Sequence, residues 1–174
     1  QLIECRKLLN EADWIDGKTT AGSQAVNVKN NFQLHEKDSL TTYLREIITS
    51  SLSSNPLFIS SALPSHIISP FFNRYENGGN YGNHVDNAIM YDMQKQKSYR
   101  TDISCSLFFT DPEEYEGGEM VIEDTFGTHE VKLPAGDLIL YPSTSLHRVE
   151  PVTSGVRMVS FMWVQSMIRS AWKR

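Results

Sequence analysis

Along the first 60 residues the apolar positions recur at helical spacing, and beyond Pro64 they shift to the shorter rhythm of strands. Leu2 to Trp14 places Ile3, Leu8, Leu9 and Ala12 loosely on one helical face. The polar stretch that follows, 16–22, carries Gly17 and Gly22 and reads as a loop. A second helix is better defined. It starts at Asp38 or Ser39 as N-cap, and Leu40, Tyr43, Leu44, Ile47, Ile48 and Leu52 follow three and four apart. Asn55-Pro56 ends or restarts it, because the residue before a proline avoids helical backbone angles. Residues Ile67 to Tyr75 and Ile103 to Phe109 are rich in β-branched and aromatic side chains. After Gly117-Gly118 come Glu119 to Ile122, a turn at Thr125-Phe126-Gly127, and Glu130 to Leu133. Pro134-Ala135-Gly136 precedes Asp137 to Tyr141, and Val156 to Val164 closes the series. About six to eight short strands divided by turns predict a mainly β sandwich or barrel with helices packed outside.

No repeat, low-complexity tract or linker interrupts the chain, so residues 1–174 read as a single domain. Its helical part covers about 1–60 and its β core about 65–165. A chain of 174 residues buries about 70 % of its unfolded surface without needing disulfides. Sixteen Lys and Arg against 21 Asp and Glu give a net charge of −5. Phosphate binding needs a basic stripe, so this balance weighs against nucleic acid as a partner. Cys5 and Cys105 fit neither a CxxC metal pattern nor a disulfide scaffold, which points to a reducing, cytoplasmic compartment. No apolar run approaches a membrane span, and no membrane partner is expected. The chain opens on Gln1 rather than Met, so trimming at the amino terminus is expected, with any address there lost.

Three residues invite a chemical reading: His84 and Asp86, two apart, and the distant His147. Residues two apart on an extended strand share a face, so His84 and Asp86 can reach one ion. Two imidazoles and one carboxylate on one side of a metal form a facial triad, which leaves positions open for a co-substrate and dioxygen. Taken alone, an H-x-D pair also arises by chance. His35, His66 and His129 show the bland alternative, single imidazoles facing solvent or hydrogen-bonded. Ten residues after His147, Arg157 opens a nearly uncharged run in which Arg157, Val159, Phe161 and Trp163 alternate onto one face. A buried guanidinium needs an anion. A bound dicarboxylate, an internal acid or an edge-strand route to water would each answer that need, and spacing alone does not choose.

The run Asn73-Arg74-Tyr75-Glu76-Asn77-Gly78-Gly79-Asn80-Tyr81-Gly82-Asn83-His84-Val85-Asp86 resembles the metal-binding stretch of iron(II)/2-oxoglutarate-dependent dioxygenases of the prolyl 4-hydroxylase type. More narrowly, Arg100-Thr101-Asp102, Tyr115-Glu116-Gly117-Gly118-Glu119, Lys132 to Asp137, Tyr141-Pro142-Ser143 and Ser160 to Trp163 resemble bacterial PKHD-type hydroxylases. With Val28-Lys29-Asn30-Asn31, the similarity spans nearly the whole chain.

The resemblance implies a double-stranded β-helix, that is, a cupin-like jelly roll with flanking helices. It implies that His84, Asp86 and His147 bind iron(II), that Arg157 holds the distal carboxylate of 2-oxoglutarate, and that L-ascorbate supports turnover. It also places Tyr75 near the co-substrate and Tyr81 near the mouth. One departure stands out: the second tyrosine that such enzymes often supply to the distal carboxylate is missing from Ser104 to Phe109. Arg100 and Asp102 either line the substrate cavity or pair with each other, and residues 87–99 form either a lid or a surface connection. The family name points to prolyl or lysyl hydroxylation of a peptide or protein, with release of succinate and carbon dioxide. The alternatives are a small-molecule hydroxylase linked to iron uptake, a non-catalytic metal or 2-oxoglutarate sensor, and a metal-dependent hydrolase. Nucleobase demethylation ranks lower, since Trp163 stands where that family often has a second arginine. A closing helix is expected within Gln165 to Arg174.

Overall fold

Helix α1 (Leu2–Glu11), α2 (Ser39–Ser53) and α3 (Pro56–Ala62) cover one face of a large sheet in the computed structural model, which describes residues 1–20, 28–92, 96–170 and 173. The N-cap expectation holds: the Asp38 carboxylate accepts a bond from the Leu40 amide at 3.3 Å. Thr41, Leu44, Ile48 and Leu52 form the buried stripe of α2. Tyr43 does not join it, and its hydroxyl instead donates to Glu4 at 2.7 Å. Pro56 restarts the chain as α3, with Asn55 accepting from the Phe58 amide. The first helix is shorter than its pattern suggests. It stops at Glu11, and Trp14 opens a strand. Residues 21 and 22 of the expected loop lie outside the described residues.

The strands are more numerous than periodicity predicts. Three lie among the helices: β1 (Trp14–Asp16), β2 (Lys29–Asn30) and β3 (Phe32–Leu34). The run expected from Ile67 to Tyr75 divides into β4 (Pro64–Ile67) and β5 (Phe71–Tyr75), broken around Pro70, which has no N–H for a ladder. Then follow β6 (Asn80–His84), β7 (Ile89–Asp92), β8 (Lys97–Arg100), β9 (Ile103–Phe108), β10 (Tyr115–Gly117) and β11 (Met120–Asp124). The last are β12 (Gly127–Val131), β13 (Leu138–Pro142), β14 (Leu146–Val149), β15 (Val152–Gly155) and β16 (Arg157–Ser166). The large sheet runs β1-β3-β5-β16-β9-β13, with β4 also paired to β16. The smaller runs β12-β11-β14-β6-β2. All pairings are antiparallel, and the two sheets form the jelly roll.

Strand β16 shows how the layers divide. Its even positions Met158, Met162 and Val164 pack with Leu9, Leu44, Ile48 and Phe58 beneath the helices. Its odd positions turn the other way: Val159 joins Tyr75, Phe108, Val149 and Val152 between the sheets. Each fully buried aliphatic or aromatic side chain of this kind contributes about 1.5–3 kcal/mol. The expected carboxy-terminal helix does not begin at Gln165, because the ladder of β16 with β4 carries Gln165 and Ser166. Residues 171, 172 and 174 lie outside the described residues.

Candidate active site

His147 on β14 faces His84 on β6 across a two-stranded ladder. The register then slips: Val149 pairs with Tyr81, so three steps on β6 oppose two on β14. This bulge at Gly82-Asn83 rotates His84 onto the face of Tyr81, and the two rings stack at 3.7 Å. Contrary to the alternation expected of an extended strand, His84 and Asp86 do not share one strand. Strand β6 ends at His84, and Asp86 arrives from the turn beyond it. The three side chains still converge, each offering one ligand atom within 4.8 Å of the others. His147 Nε2 lies 3.9 Å from Asp86 Oδ2.

The imidazoles are oriented through their main chain. His84 Nδ1 donates to the Gly82 carbonyl at 2.8 Å and His147 Nδ1 to the Ser145 carbonyl at 3.0 Å. A carbonyl only accepts, so each Nδ1 carries a proton and Nε2 is the ring nitrogen left to face the cluster. Burial, reinforced by the neighbouring His147, pushes His84 down to about 4, which keeps it neutral at physiological pH. Asp86 Oδ2 accepts from the buried Ser104 hydroxyl at 2.5 Å, and Ser104 in turn meets Ser143 at 3.0 Å. Tyr141 packs edge-on to His147. Ser104 was visible in the sequence only as a serine where a tyrosine was sought.

Arg157 is 1 % exposed, among the largest fully buried side chains. Its guanidinium lies between the rings of Tyr75 and Phe108, 5.2 Å from each centroid. No carboxylate forms an ion pair with it among the described residues, and its Nε and Nη1 have no acceptor there. The Tyr115 hydroxyl lies beside the guanidinium and draws on its charge, although the two do not meet in a well-aligned hydrogen bond. Tyr115, on β10, is therefore the phenol nearest the guanidinium, whereas Ser104 to Phe109 carries none. The turn after it must be glycine. Gly117 and Gly118 have φ of +69° and +68°. A Cβ on Gly118 would stand 3.1 Å from Arg157 Cδ and 3.1 Å from Tyr115 Cε2.

Tyr75 is fully buried, and its hydroxyl accepts from Asn73 Nδ2 at 3.0 Å. Arg100 and Asp102 pair with each other through two bonds of 3.2 and 3.0 Å, and both also bind the backbone of Ser166. The segment 87–99 contains a hairpin, β7 with β8, rather than an open loop, and residues 93–95 lie outside the described residues. The three other histidines are engaged elsewhere. His35 accepts from the Lys37 amide, His66 stacks on Tyr99, and His129 lies 3.2 Å from Asp124.

Comparison with known proteins identifies the family. Residues 70–165 match the 2OG-Fe(II) oxygenase superfamily. A PKHD-type hydroxylase of Aliarcobacter butzleri is 83 % identical over the whole chain, which covers 77 % of that relative. One from Acinetobacter baumannii is 53 % identical over the same extent. Among solved structures, a Pseudomonas putida prolyl-4-hydroxylase superposes with a TM-score of 0.59 at 18 % identity, covering 95 % of this chain and 84 % of the other. HygX from Streptomyces hygroscopicus, with nickel and 2-oxoglutarate bound, gives 0.63 at 12 %, covering 98 % and 80 %. At those identities the two structures speak for the fold alone. Sequence relatives and fold together place the chain in the 2OG-Fe(II) oxygenase superfamily, as an iron- and 2-oxoglutarate-dependent hydroxylase of the PKHD type.

Proposed function

We propose that His84, Asp86 and His147 hold iron(II), that Arg157 receives the distal carboxylate of 2-oxoglutarate, and that a C–H bond of a prolyl- or lysyl-type peptide or protein is hydroxylated with release of succinate and carbon dioxide. The observation that carries this reading is a fully buried guanidinium that has no acid partner among the described residues, in the same domain as a three-residue cluster of metal-ligating atoms. The donor set fits the metal. Two imidazoles held through Nδ1, with Nε2 toward the cluster, and one carboxylate suit iron(II) and leave part of its shell open. When bound, iron(II) supplies the dioxygen chemistry and the oxidative decarboxylation of 2-oxoglutarate.

The chain's own residues hold and orient. The two Nδ1–H bonds to carbonyls fix the planes of the ligand rings, and Ser104 fixes the carboxylate of Asp86. Arg157 presents a rigid fork of N–H donors that matches a carboxylate bidentately. Tyr75 and Phe108 cover that fork on both sides, which excludes water and strengthens the attraction. The ring of Tyr81, pressed on His84, would wall the entrance. The two buried thiols Cys5 and Cys105 suit a reducing, cytoplasmic compartment.

The test is succinate release from 2-oxoglutarate by the purified protein with iron(II) and ascorbate, followed by mass spectrometry for products that gain one oxygen atom in peptide and metabolite libraries. Substitution His147→Ala should abolish both iron retention and succinate formation. Undiminished succinate from that variant would remove the ligand assignment.

A further inference from the structure

The segment that leads into the two sheets has its polarity inverted. Lys29, Asn31 and Gln33 are buried, whereas Val28 and Phe32 are exposed. Lys29 lies on β2 of the smaller sheet and Gln33 on β3 of the larger one, with Asn31 where the chain crosses between them. Gln33 is bonded to Asn73 at 2.7 Å. Asn31, 5 % exposed, lies beside the Tyr75 hydroxyl but makes no well-formed hydrogen bond through its amide. Lys29 is 6 % exposed, and among the described residues its ammonium has neither a hydrogen-bond acceptor nor an ion pair. Asp16 attracts it only from beyond ion-pair distance, and burial lowers its pKa to about 8. Its ammonium stands 5.7 Å from the ring centroid of Tyr81, the same ring that stacks on His84.

A largely buried lysine with no ion pair among the described residues is poorly solvated, and a bound anion would offset that cost. In the oxygenase reading 2-oxoglutarate leaves Lys29 unused, since its two ends go to Arg157 and to the metal. We infer that Lys29 binds a carboxylate of the primary substrate, so that the molecule hydroxylated is an acid held one aromatic ring away from the metal cluster. The inference rests on the oxygenase reading and narrows its substrate class. One ammonium matches a monoanion, whereas a phosphate dianion would leave half its charge unpaired. The bulge that stacks Tyr81 on His84 also fixes the spacing between the anchor and the metal ligands. A peptide meets this requirement through an acidic side chain or its carboxy terminus, and a small acid meets it directly.

The test uses the whole protein loaded with manganese(II) and saturating 2-oxoglutarate, with acetate and acetamide as probes, in wild type and Lys29→Met. Manganese relaxes the methyl protons of any probe held near it. Wild type should relax acetate and not acetamide, and Lys29→Met should bind acetate about tenfold or more weakly, as for loss of a charged hydrogen bond. Equal acetate relaxation in the two proteins overturns the inference, as does equal response to acetamide. Manganese uptake, read separately from water-proton relaxation, tests the oxygenase reading. If uptake fails, that reading falls, and acetate-induced thermal stabilisation of wild type over Lys29→Met decides the role of Lys29. The metal-free variant should melt no lower than wild type. A fall of more than about 4 °C, equivalent to roughly 1 kcal/mol or more, would expose a structural partner and overturn the inference.

Discussion

Substituting Arg157 by methionine separates the proposed co-substrate anchor from the metal cluster. The thioether fills the slot between Tyr75 and Phe108, where the guanidinium now lies 5.2 Å from each ring centroid, so packing is largely kept. What disappears is a buried charged contact with the distal carboxylate, worth about 2–5 kcal/mol when one partner is truncated. At about 1.4 kcal/mol per factor of ten, KM for 2-oxoglutarate should rise from 30-fold to several thousand-fold. The metal ligands belong to β6, its following turn and β14, whereas Arg157 opens β16 in the other sheet. Manganese affinity should therefore change little. The assay is succinate formation against 2-oxoglutarate concentration, with metal affinity measured in parallel. Without 2-oxoglutarate the variant should lose little stability. Breaking an internal buried ion pair would instead cost about 3–5 kcal/mol. An unchanged KM, or a loss of that size in the co-substrate-free protein, would refute the anchor.

Three further outcomes follow from the same geometry. Ser104→Ala removes the 2.5 Å bond to Asp86 and should weaken iron(II) binding about tenfold, measured by competition with a chelator, while the fold remains intact. Gly118→Ala forces a Cβ against Arg157, Tyr115 and Val152 at positive φ. It should cost about 1–3 kcal/mol in denaturant unfolding and raise the 2-oxoglutarate requirement as well. For Lys29, the folded pKa of about 8 lies below the usual 10.5, so between those values the unfolded chain binds more protons. Its contribution to the stability of the metal-free protein should thus rise as pH increases from about 8 to about 10.5. Denaturant midpoints across that range should show this component of the slope in wild type and not in Lys29→Met.

Much of the architecture was legible because its signals are local. Helix α2 announces itself through apolar spacing and an aspartate cap, and β16 through alternation around a single charge. The hidden parts depend on contacts between distant segments. Nothing near Gly82-Asn83 announces a bulge, since the extra residue is defined only against Val149 and His147 on another strand. Ser104 gains meaning from Asp86, and Tyr115 from Arg157, partners that no periodicity connects. Strand β2 was missed for a different reason. It has only two residues, both polar, and the one that is buried is the lysine, so the pattern rule reads the segment as loop. The site residues named from the sequence cluster around the histidine ladder and β16, while Arg100 and Asp102 turn to each other and to Ser166.

Strand β16 is a dividing wall whose two sides answer to different demands. Exchanging Met158 or Met162 for another apolar residue of similar size should alter how firmly the helices are seated and spare the space between the sheets. An equally conservative exchange at Val159 reaches the cluster of Tyr75 and Phe108, the two rings that flank Arg157. Tuning for heat tolerance and tuning for selectivity can therefore proceed on adjacent residues of one strand, with little interference between them.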